Sequence, residues 1–70
     1  MPKVPTYRQL HKALFSLGFY IERQKGSHVQ YFNGKISVTI PKHSNQEVSI
    51  GVFLETLKKL NMDKNEFWKL

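Results

Sequence analysis

The chain of 70 residues contains eleven lysines and arginines, five aspartates and glutamates and no cysteine, and its formal net charge is +6. A chain of this length forms one small domain with a limited core, so we expect residues 1–70 to be a single domain. The lack of cysteine excludes disulfides and thiolate metal sites. The positive charge favours a phosphate-rich partner or an acidic protein surface. No stretch reaches the ~20 apolar residues of a membrane span and no signal segment is visible, so we expect a cytoplasmic protein that does not enter a membrane.

Two stretches have the apolar spacing of amphipathic helices. In the first, Thr6 and Gln9 have the spacing of a capping box, and Gly18 stands where a left-handed residue usually ends a helix. Its apolar stripe consists of Leu10, Ala13, Leu14 and Leu17. The second helix has Ser49 as a candidate N-cap. Its apolar stripe consists of Ile50, Phe53, Leu54 and Leu57. A capping-box spacing that begins at Asp63 predicts a short C-terminal helix.

From residue 19 the apolar period changes to two, which predicts three strands. Asn33 and Gly34 form the strongest short hairpin signal, and a two-residue turn there pairs His28 with Thr39. The apolar face of the sheet would then carry Phe19, Ile21, Val29, Tyr31, Ile36, Val38 and Ile40. The opposite face would carry Tyr20, Glu22, Gln24, His28, Gln30, Phe32, Lys35, Ser37 and Thr39.

The turn between the first two strands does not fit this register as a two-residue loop. With Lys25 and Gly26 as the loop, Ile21 would pair with Gln30 and the apolar face would be broken. We therefore expect a longer or bulged turn through Lys25, Gly26 and Ser27. The order of helix, three antiparallel strands, helix and short C-terminal helix predicts an α+β fold of two layers, in which two helices cover one face of the sheet.

The same turn carries groups that can bind phosphate and transfer protons. The candidate RNA-binding residues are Arg23, Lys25, Gly26, Ser27 and Lys42. The predicted register brings a loop over residues 42–48 beside the turn, with His43 within roughly 10 Å of His28. Histidines can act as general base and general acid, and a cation can stabilise a phosphorane-like charge. His28, with His43 as a possible second group, would suit a metal-free ribonuclease, although an ordinary surface hairpin has a similar composition.

Two other chemistries fit the sequence poorly. Ser27 is adjacent to His28, and strand alternation sends neighbouring side chains to opposite faces, which argues against a serine nucleophile activated by this histidine. His11, His28 and His43 come from different elements, and no carboxylate or cysteine stands at ligand spacing, so we expect no metal site and no cofactor. We expect His11 to be a half-exposed surface residue.

Several segments together resemble the HicA toxin family, also called YcfA-like. In chain order the matching residues are Gly18-Phe19, Arg23-Gln24-Lys25-Gly26-Ser27-His28, Tyr31, Val38-Thr39-Ile40-Pro41, His43 and Gly51 with Leu54, Leu57 and Leu60. The resemblance covers nearly the whole chain. One departure lies at the start of the second helix, where Ile50-Gly51-Val52 stands in place of the family's usual Pro-Gly-Thr. This departure affects the local helix cap rather than the chemistry.

The resemblance implies a fold like that of double-stranded-RNA-binding domains and a ribonuclease toxin of a type II toxin–antitoxin system. Such a toxin cuts messenger RNA and blocks translation, and a HicB-type antitoxin covers its active site. The resemblance also implies that His28 is the catalytic histidine. With the ribose 2′-hydroxyl as internal nucleophile, no metal or cofactor is required and DNA is neither cleaved nor an expected ligand.

Two hypotheses from other classes stay open. The first is a non-catalytic module that binds double-stranded RNA. Such modules typically carry a lysine cluster at the start of their last helix, whereas Lys58 and Lys59 stand at the end of the second predicted helix. The second is an adaptor that binds a protein through the uncovered face of the sheet and is indifferent to nucleic acid.

Overall fold

The order of helices and strands follows the predicted pattern. A computed structural model describes residues 3–43 and 46–70. In chain order the elements are α1 (Tyr7–Ser16), β1 (Tyr20–Lys25), β2 (His28–Phe32), β3 (Ser37–Pro41), α2 (Ile50–Leu60) and α3 (Lys64–Phe67). The strands form one antiparallel sheet in the order β1-β2-β3, so the α+β prediction is confirmed. Within these described residues, no helix is long and apolar enough to cross a lipid bilayer.

Side-chain caps fix where α1, α2 and α3 begin. Thr6 Oγ1 accepts a hydrogen bond from the Gln9 amide at 3.1 Å, and Gln9 Oε1 accepts one from the Thr6 amide at 2.9 Å. Asp63 and Glu66 form the same reciprocal pair before α3, and the Ser49 side chain caps α2. These bonds satisfy amides that have no partner within the helix. The helix starts predicted from the sequence are therefore confirmed.

One cluster of buried side chains joins the helices to a single face of the sheet, which we call the covered face. On β2 and β3 the covered face presents Val29, Tyr31, Val38 and Ile40. The helices pack onto it with Leu10, Ala13, Leu14, Phe53, Leu57 and Phe67. Apolar surface removed from water stabilises a fold by about 25 cal/mol per Å². The helices therefore decide which face of each strand must be apolar.

The hairpin between β2 and β3 has a four-residue loop, so the predicted two-residue turn at Asn33 and Gly34 is wrong. Asn33 Oδ1 accepts hydrogen bonds from the amides of Lys35 and Ile36, at 2.9 and 2.7 Å. Of the two predicted turn residues only Gly34 has a positive φ, at 94°. An asparagine side chain that accepts hydrogen bonds from amides two and three residues later closes a turn through its side chain, and this turn lengthens the loop.

The longer loop shifts the pairing of β2 with β3 by two residues. His28 pairs with Pro41, not with Thr39 as the two-residue turn required. Because side chains alternate along a strand, a shift of two leaves the paired residues on their predicted faces. Lys35 and Ile36, which were predicted to belong to β3, lie in the loop instead, and Ile36 is half-buried there.

The predicted irregularity between β1 and β2 exists, but it does not lie in the turn. Lys25 pairs with His28, so Gly26 and Ser27 form a simple two-residue loop. Gly26 has a φ of 58°, in the left-handed region that favours glycine. The expectation of a longer or bulged turn through these residues is therefore wrong in its placement.

A β-bulge within β1 takes up the irregularity. Ile21 pairs with Tyr31 and Arg23 pairs with Gln30, which leaves Glu22 as the extra residue. One extra residue reverses the alternation of side chains for the rest of the strand. Ile21 can thereby lie opposite a core residue while the end of β1 still meets a two-residue turn.

The bulge changes which residues of β1 lie on the uncovered face of the sheet. Arg23 and Lys25 pair with Gln30 and His28 and share their face. Gln24, predicted for that face, pairs with the core residue Val29 and so lies on the other side. We call the uncovered face the open face. Its residues are Tyr20, Glu22, Arg23, Lys25, His28, Gln30, Phe32, Ser37 and Thr39.

Three residues predicted for the core are exposed. Ile21 is 42% exposed because β1 is an edge strand whose six residues are all exposed. On α2, Ile50 and Leu54 are 41% and 47% exposed. The buried residues of α2 are Phe53, Thr56 and Leu57. Thr56 can occupy a buried position because its hydroxyl donates to the Val52 carbonyl at 2.8 Å.

The segment that precedes α2 is tied to the start of α1. The Val48 amide donates to the Pro5 carbonyl at 2.9 Å, and the Tyr7 amide donates to the Gln46 carbonyl at 3.1 Å. These bonds hold the start of α1 next to the start of α2. The loop predicted over residues 42–48 includes residues 44 and 45, which lie outside the described residues.

A buried hydrogen-bond network lies at the centre of the core. The Tyr31 hydroxyl is 2.6 Å from the Tyr7 hydroxyl and 2.6 Å from His11 Nδ1. The His11 ring also stacks on Phe15, with centroids 4.4 Å apart. Burial, followed by the hydrogen bond and charge interaction with Tyr7, raises the pKa of the Tyr31 phenol far above its ordinary value. His11 is partly exposed, as expected, but it is also part of this network, which the sequence did not predict.

Tyr31→Phe tests what this network contributes to stability. The substitution leaves the Tyr7 hydroxyl and His11 Nδ1 without their shared partner, so we expect a loss of about 1–3 kcal/mol in the free energy of unfolding. The matched control is Tyr20→Phe, which removes the same hydroxyl from a side chain that is 50% exposed. We expect this control to change stability by less than about 0.5 kcal/mol. Urea denaturation at pH 7 measures both values.

The same variants predict a difference at alkaline pH. In the unfolded chain a tyrosine loses its proton above about pH 10, whereas folded Tyr31 keeps it because its pKa is raised. The unfolded state therefore binds fewer protons, and stability falls as the pH rises above about 10, by at most about 1.4 kcal/mol per pH unit. Tyr31→Phe should lack this part of the slope. Equal slopes for wild type and Tyr31→Phe would contradict the assignment.

Candidate functional site

The exposed end of the open face gathers the residues that the sequence singles out. His28 begins β2, and its cross-strand partners are Lys25 on one side and Pro41 on the other. Lys25 and His28 are exposed, as are Gly26 and Ser27 between them. A proton-transfer group and a cation thus lie next to each other on the open face, at the sheet's end. We call this end the basic rim, formed by Arg23, Lys25, Gly26, Ser27, His28 and Lys42.

The basic rim is held in place by backbone and side-chain hydrogen bonds. The Lys42 amide donates to the Ser27 carbonyl at 2.6 Å, which joins the end of β3 to the turn. Gln24 Nε2 donates to the Gly26 carbonyl at 3.3 Å. The first bond places Lys42 beside the turn, as the sequence predicts. Arg23 pairs with Gln30 and not with His28, and it stands two residues before Lys25 on the same strand.

The structure also defines where the backbone of His43 lies. His43 follows the cross-strand partner of His28 by two residues, and its carbonyl accepts from the Gln46 amide at 3.1 Å. Paired Cα atoms are about 5 Å apart, and two extended residues span at most about 7 Å. The two histidine Cα atoms are therefore at most about 12 Å apart. His43 is exposed, and the approach of its imidazole to His28 stays a prediction.

The middle of the open face is polar and internally bonded. Gln30 Nε2 donates to Glu22 Oε1 at 3.0 Å and to Ser37 Oγ at 3.4 Å. These bonds connect β1, β2 and β3 across the face. Glu22 is the acidic residue nearest to Arg23 in the chain, and its Oε1 accepts one of these bonds.

The sequence missed two features that matter for this site. The first is that Arg23 and Lys25 share the face of His28, because alternation counted without the bulge places them on the other side. The second is the core network around Tyr31. Its signal in the sequence was the helical spacing of Tyr7, His11 and Phe15, which puts three rings on one side of α1.

Metal ligands are not grouped in the described part of the chain. Within residues 3–43 and 46–70, no three histidine, aspartate or glutamate side chains lie close enough together to hold a metal ion. The groups that the basic rim does offer are an imidazole, cationic side chains, a hydroxyl and backbone amides next to a glycine. Such groups suit an anion such as a phosphodiester.

The fold and the basic rim define a small, basic α+β protein whose exposed chemistry suits a phosphate ligand. Residues 7–62 match the model of the family described as HicA toxin of bacterial toxin-antitoxin. The chain therefore belongs to the HicA toxin family and is the toxin of a toxin–antitoxin system. Toxins of this family are in general ribonucleases, which implies an RNA target. Membership of a toxin–antitoxin family implies an antitoxin partner. No curated protein and no solved structure gave a significant match to the chain.

Gly26→Ala tests the turn that carries the basic rim. At a φ of 58° a Cβ is strained whatever the surrounding space, and we expect a loss of about 1 kcal/mol in the free energy of unfolding. The matched control is Gly51→Ala in α2, where alanine is the better helix former and the nearest atom to a new Cβ is 4.0 Å away. The control should be neutral or stabilising by up to about 1 kcal/mol. Urea denaturation measures both, and equal effects would contradict the left-handed turn.

Proposed function

We propose that this chain is an endoribonuclease that cuts messenger RNA and blocks translation, with His28 as its catalytic residue. The observation that best supports the proposal is the position of His28. It is exposed on the open face, with Lys25 as its neighbour on β1 and Lys42 held beside the turn. An accessible imidazole can transfer protons during cleavage of a phosphodiester, and neighbouring cations can stabilise the negative charge that develops.

The proposed reaction uses the ribose 2′-hydroxyl as the nucleophile. The 2′-oxygen attacks the adjacent phosphorus, the bond to the 5′-oxygen of the next nucleotide breaks, and a 2′,3′-cyclic phosphate and a 5′-hydroxyl are formed. One proton leaves the 2′-hydroxyl and another reaches the leaving oxygen. His28 performs one of these transfers, and His43 is the candidate for the other. Because DNA lacks the 2′-hydroxyl, it is not a substrate.

The other residues of the basic rim would hold the scissile phosphate. Arg23, Lys25 and Lys42 supply positive charge where negative charge increases in the transition state. Gly26 has no Cβ, so the backbone can approach a phosphate closely, and Ser27 adds a hydroxyl. No cofactor is needed in this scheme, since each proton transfer uses a side chain of the protein.

A HicB-type antitoxin would inhibit this activity by covering the basic rim. Its contact surface would have to accommodate the positive charges of Arg23, Lys25 and Lys42. An acidic surface on the antitoxin satisfies this requirement, since complementary charge speeds association and suppresses wrong partners. The net charge of +6 on the toxin supports the same arrangement.

His28→Ala is the direct test of the proposal. Purified wild type should degrade messenger RNA, and the variant should lose about 10²- to 10⁴-fold in rate, because one proton transfer loses its catalyst. Induced expression should arrest growth for wild type and not for the variant. Asn65→Ala, at an exposed residue of α3, is the control that should keep full activity.

Two results would contradict this assignment. Equal loss of RNA with wild type and His28→Ala would remove His28 from the reaction. A stable gel shift with duplex RNA and no cleavage after long incubation would favour the non-catalytic module. The structure gives that alternative little support, because the first turn of α2 has no basic residue and the lysines lie in its last turn, at Lys58 and Lys59.

His43→Ala tests whether a second histidine takes part. If the two histidines act as base and acid, the wild-type kcat depends on pH in a bell shape, and the variant keeps only one limb of that profile. We also expect kcat to fall about 10²-fold or more while KM changes little, since the lost interaction acts in the transition state. An unchanged pH profile would assign His43 no part in proton transfer.

A further inference from the structure

Two aromatic side chains form an exposed pair on the open face, away from the basic rim. Tyr20 on β1 and Phe32 on β2 are cross-strand partners, and their rings meet edge to face with centroids 6.1 Å apart. Tyr20 is 50% exposed and Phe32 is half-buried. The pair is not part of the hydrophobic core, which lies under the covered face. Its exposure is therefore not explained by folding alone.

The aromatic pair lies in line with His28 along the same strand. Phe32 and His28 are the two ends of β2, and both lie on the open face. Phe32 is four positions after His28, a distance of about 13 Å along the strand. That distance corresponds to about four nucleotides at the 3.4 Å spacing of a stacked strand. One RNA segment can therefore contact both ends of β2 at once.

The surface between the two ends suits a nucleic-acid strand. Gln30 lies between them, held by Glu22 and Ser37, and it presents a polar side chain rather than an apolar one. Positive charge is present at the His28 end through Lys25. At the other end, Lys35 follows Phe32 in the exposed loop. Proteins bind single strands by combining exposed aromatic rings with cationic side chains on the same surface, because any base offers a π-face for stacking.

We propose that the open face binds single-stranded RNA, with one unpaired base stacked on the Tyr20 ring, which Phe32 supports edge to face, and with the scissile phosphate at His28. This inference rests on the proposed function and adds the form of the substrate to it. A duplex cannot use the aromatic pair, because its bases are already stacked and paired. The substrate is thus an unpaired segment of RNA, and Tyr20 is a binding residue that touches it without taking part in proton transfer.

Binding experiments in the His28→Ala background separate the aromatic pair from catalysis. The probe is a labelled 12-nucleotide RNA of mixed sequence without secondary structure, and its Kd is measured by fluorescence anisotropy. Tyr20→Ala should weaken binding about 5- to 150-fold, the range for loss of one stacked base. Tyr20→Phe keeps the ring and should bind within about twofold of the parent. Leu54→Ala is the control, because Leu54 is 47% exposed but lies on α2, outside the open face.

A walk of abasic sites along the probe locates the stacked base. One abasic position should weaken binding to the parent by the same factor as Tyr20→Ala and should have no further effect on that variant. Pairing the probe with its complement should remove the difference between the parent and Tyr20→Ala. Tyr20→Leu provides a second variant that keeps the apolar packing against Phe32 without the π-face, in case alanine unfolds the edge strand. It should bind RNA as weakly as Tyr20→Ala.

Three outcomes would overturn the inference. In the first, Tyr20→Ala and Tyr20→Leu bind RNA with Kd values within twofold of the parent. In the second, no position of the abasic walk is sensitive. In the third, Tyr20→Ala loses antitoxin binding but keeps RNA binding, which would make the pair a protein contact. Each is distinct from failure of the proposed function. The proposed function fails if the wild-type protein and His28→Ala cleave RNA equally, whatever the Kd values of the Tyr20 variants.

Discussion

The β-bulge at Glu22 is the constraint on which the open face depends. Ile21 must lie opposite Tyr31 for β1 to pair with the core strand in register, and the two-residue turn requires Lys25 opposite His28. Regular alternation cannot satisfy both conditions, because the two pairings differ by one residue. One extra residue satisfies both. It also keeps Arg23 on the solvent side of the sheet, where a cation does not lose its hydration against an apolar layer.

The sequence predicted the elements of the fold better than their alignment. Caps such as Thr6 with Gln9 depend on contacts within four residues, so their spacing alone identifies them. The register of β2 with β3 was wrong by two because alternation cannot distinguish pairings that differ by an even number. The deciding contact was made by the Asn33 side chain, which accepts hydrogen bonds from the amides of Lys35 and Ile36. The Asn-Gly sequence is compatible with the two-residue loop and with the four-residue loop.

The candidate site could be predicted only as a set of residues. The order of basic, glycine, hydroxyl and imidazole groups pointed to a phosphate ligand, and the turn that carries them is where the sequence placed it. Their arrangement could not be predicted, because it depends on the position of the bulge, and no local sequence pattern marks Glu22. For α2, an apolar stripe wider than the surface available to it left Ile50 and Leu54 outside the core.

The two ends of β2, the strand that carries His28, are supported in different ways. Tyr31, near one end of β2, is enclosed by the core and joined to α1 through Tyr7 and His11. His28, at the other end, is exposed, and it is held by its pairing with Lys25 and Pro41 and by the backbone bond from Lys42 to Ser27. A buried centre with an exposed end suits a site built on a strand terminus, since ligands must reach the reactive group while the scaffold stays fixed.

The edge position of β1 has a consequence for aggregation of the chain with other copies of itself. An unpaired strand edge offers amides and carbonyls to any second strand, and such edges are a common origin of aggregation. Here the bulge interrupts the ladder at Glu22, and the cations of Arg23 and Lys25 stand beside it on a chain whose net charge is +6. A second copy that approaches this edge meets an irregular backbone and a charge of its own sign. The same residue that arranges the open face therefore also protects the edge from pairing with itself.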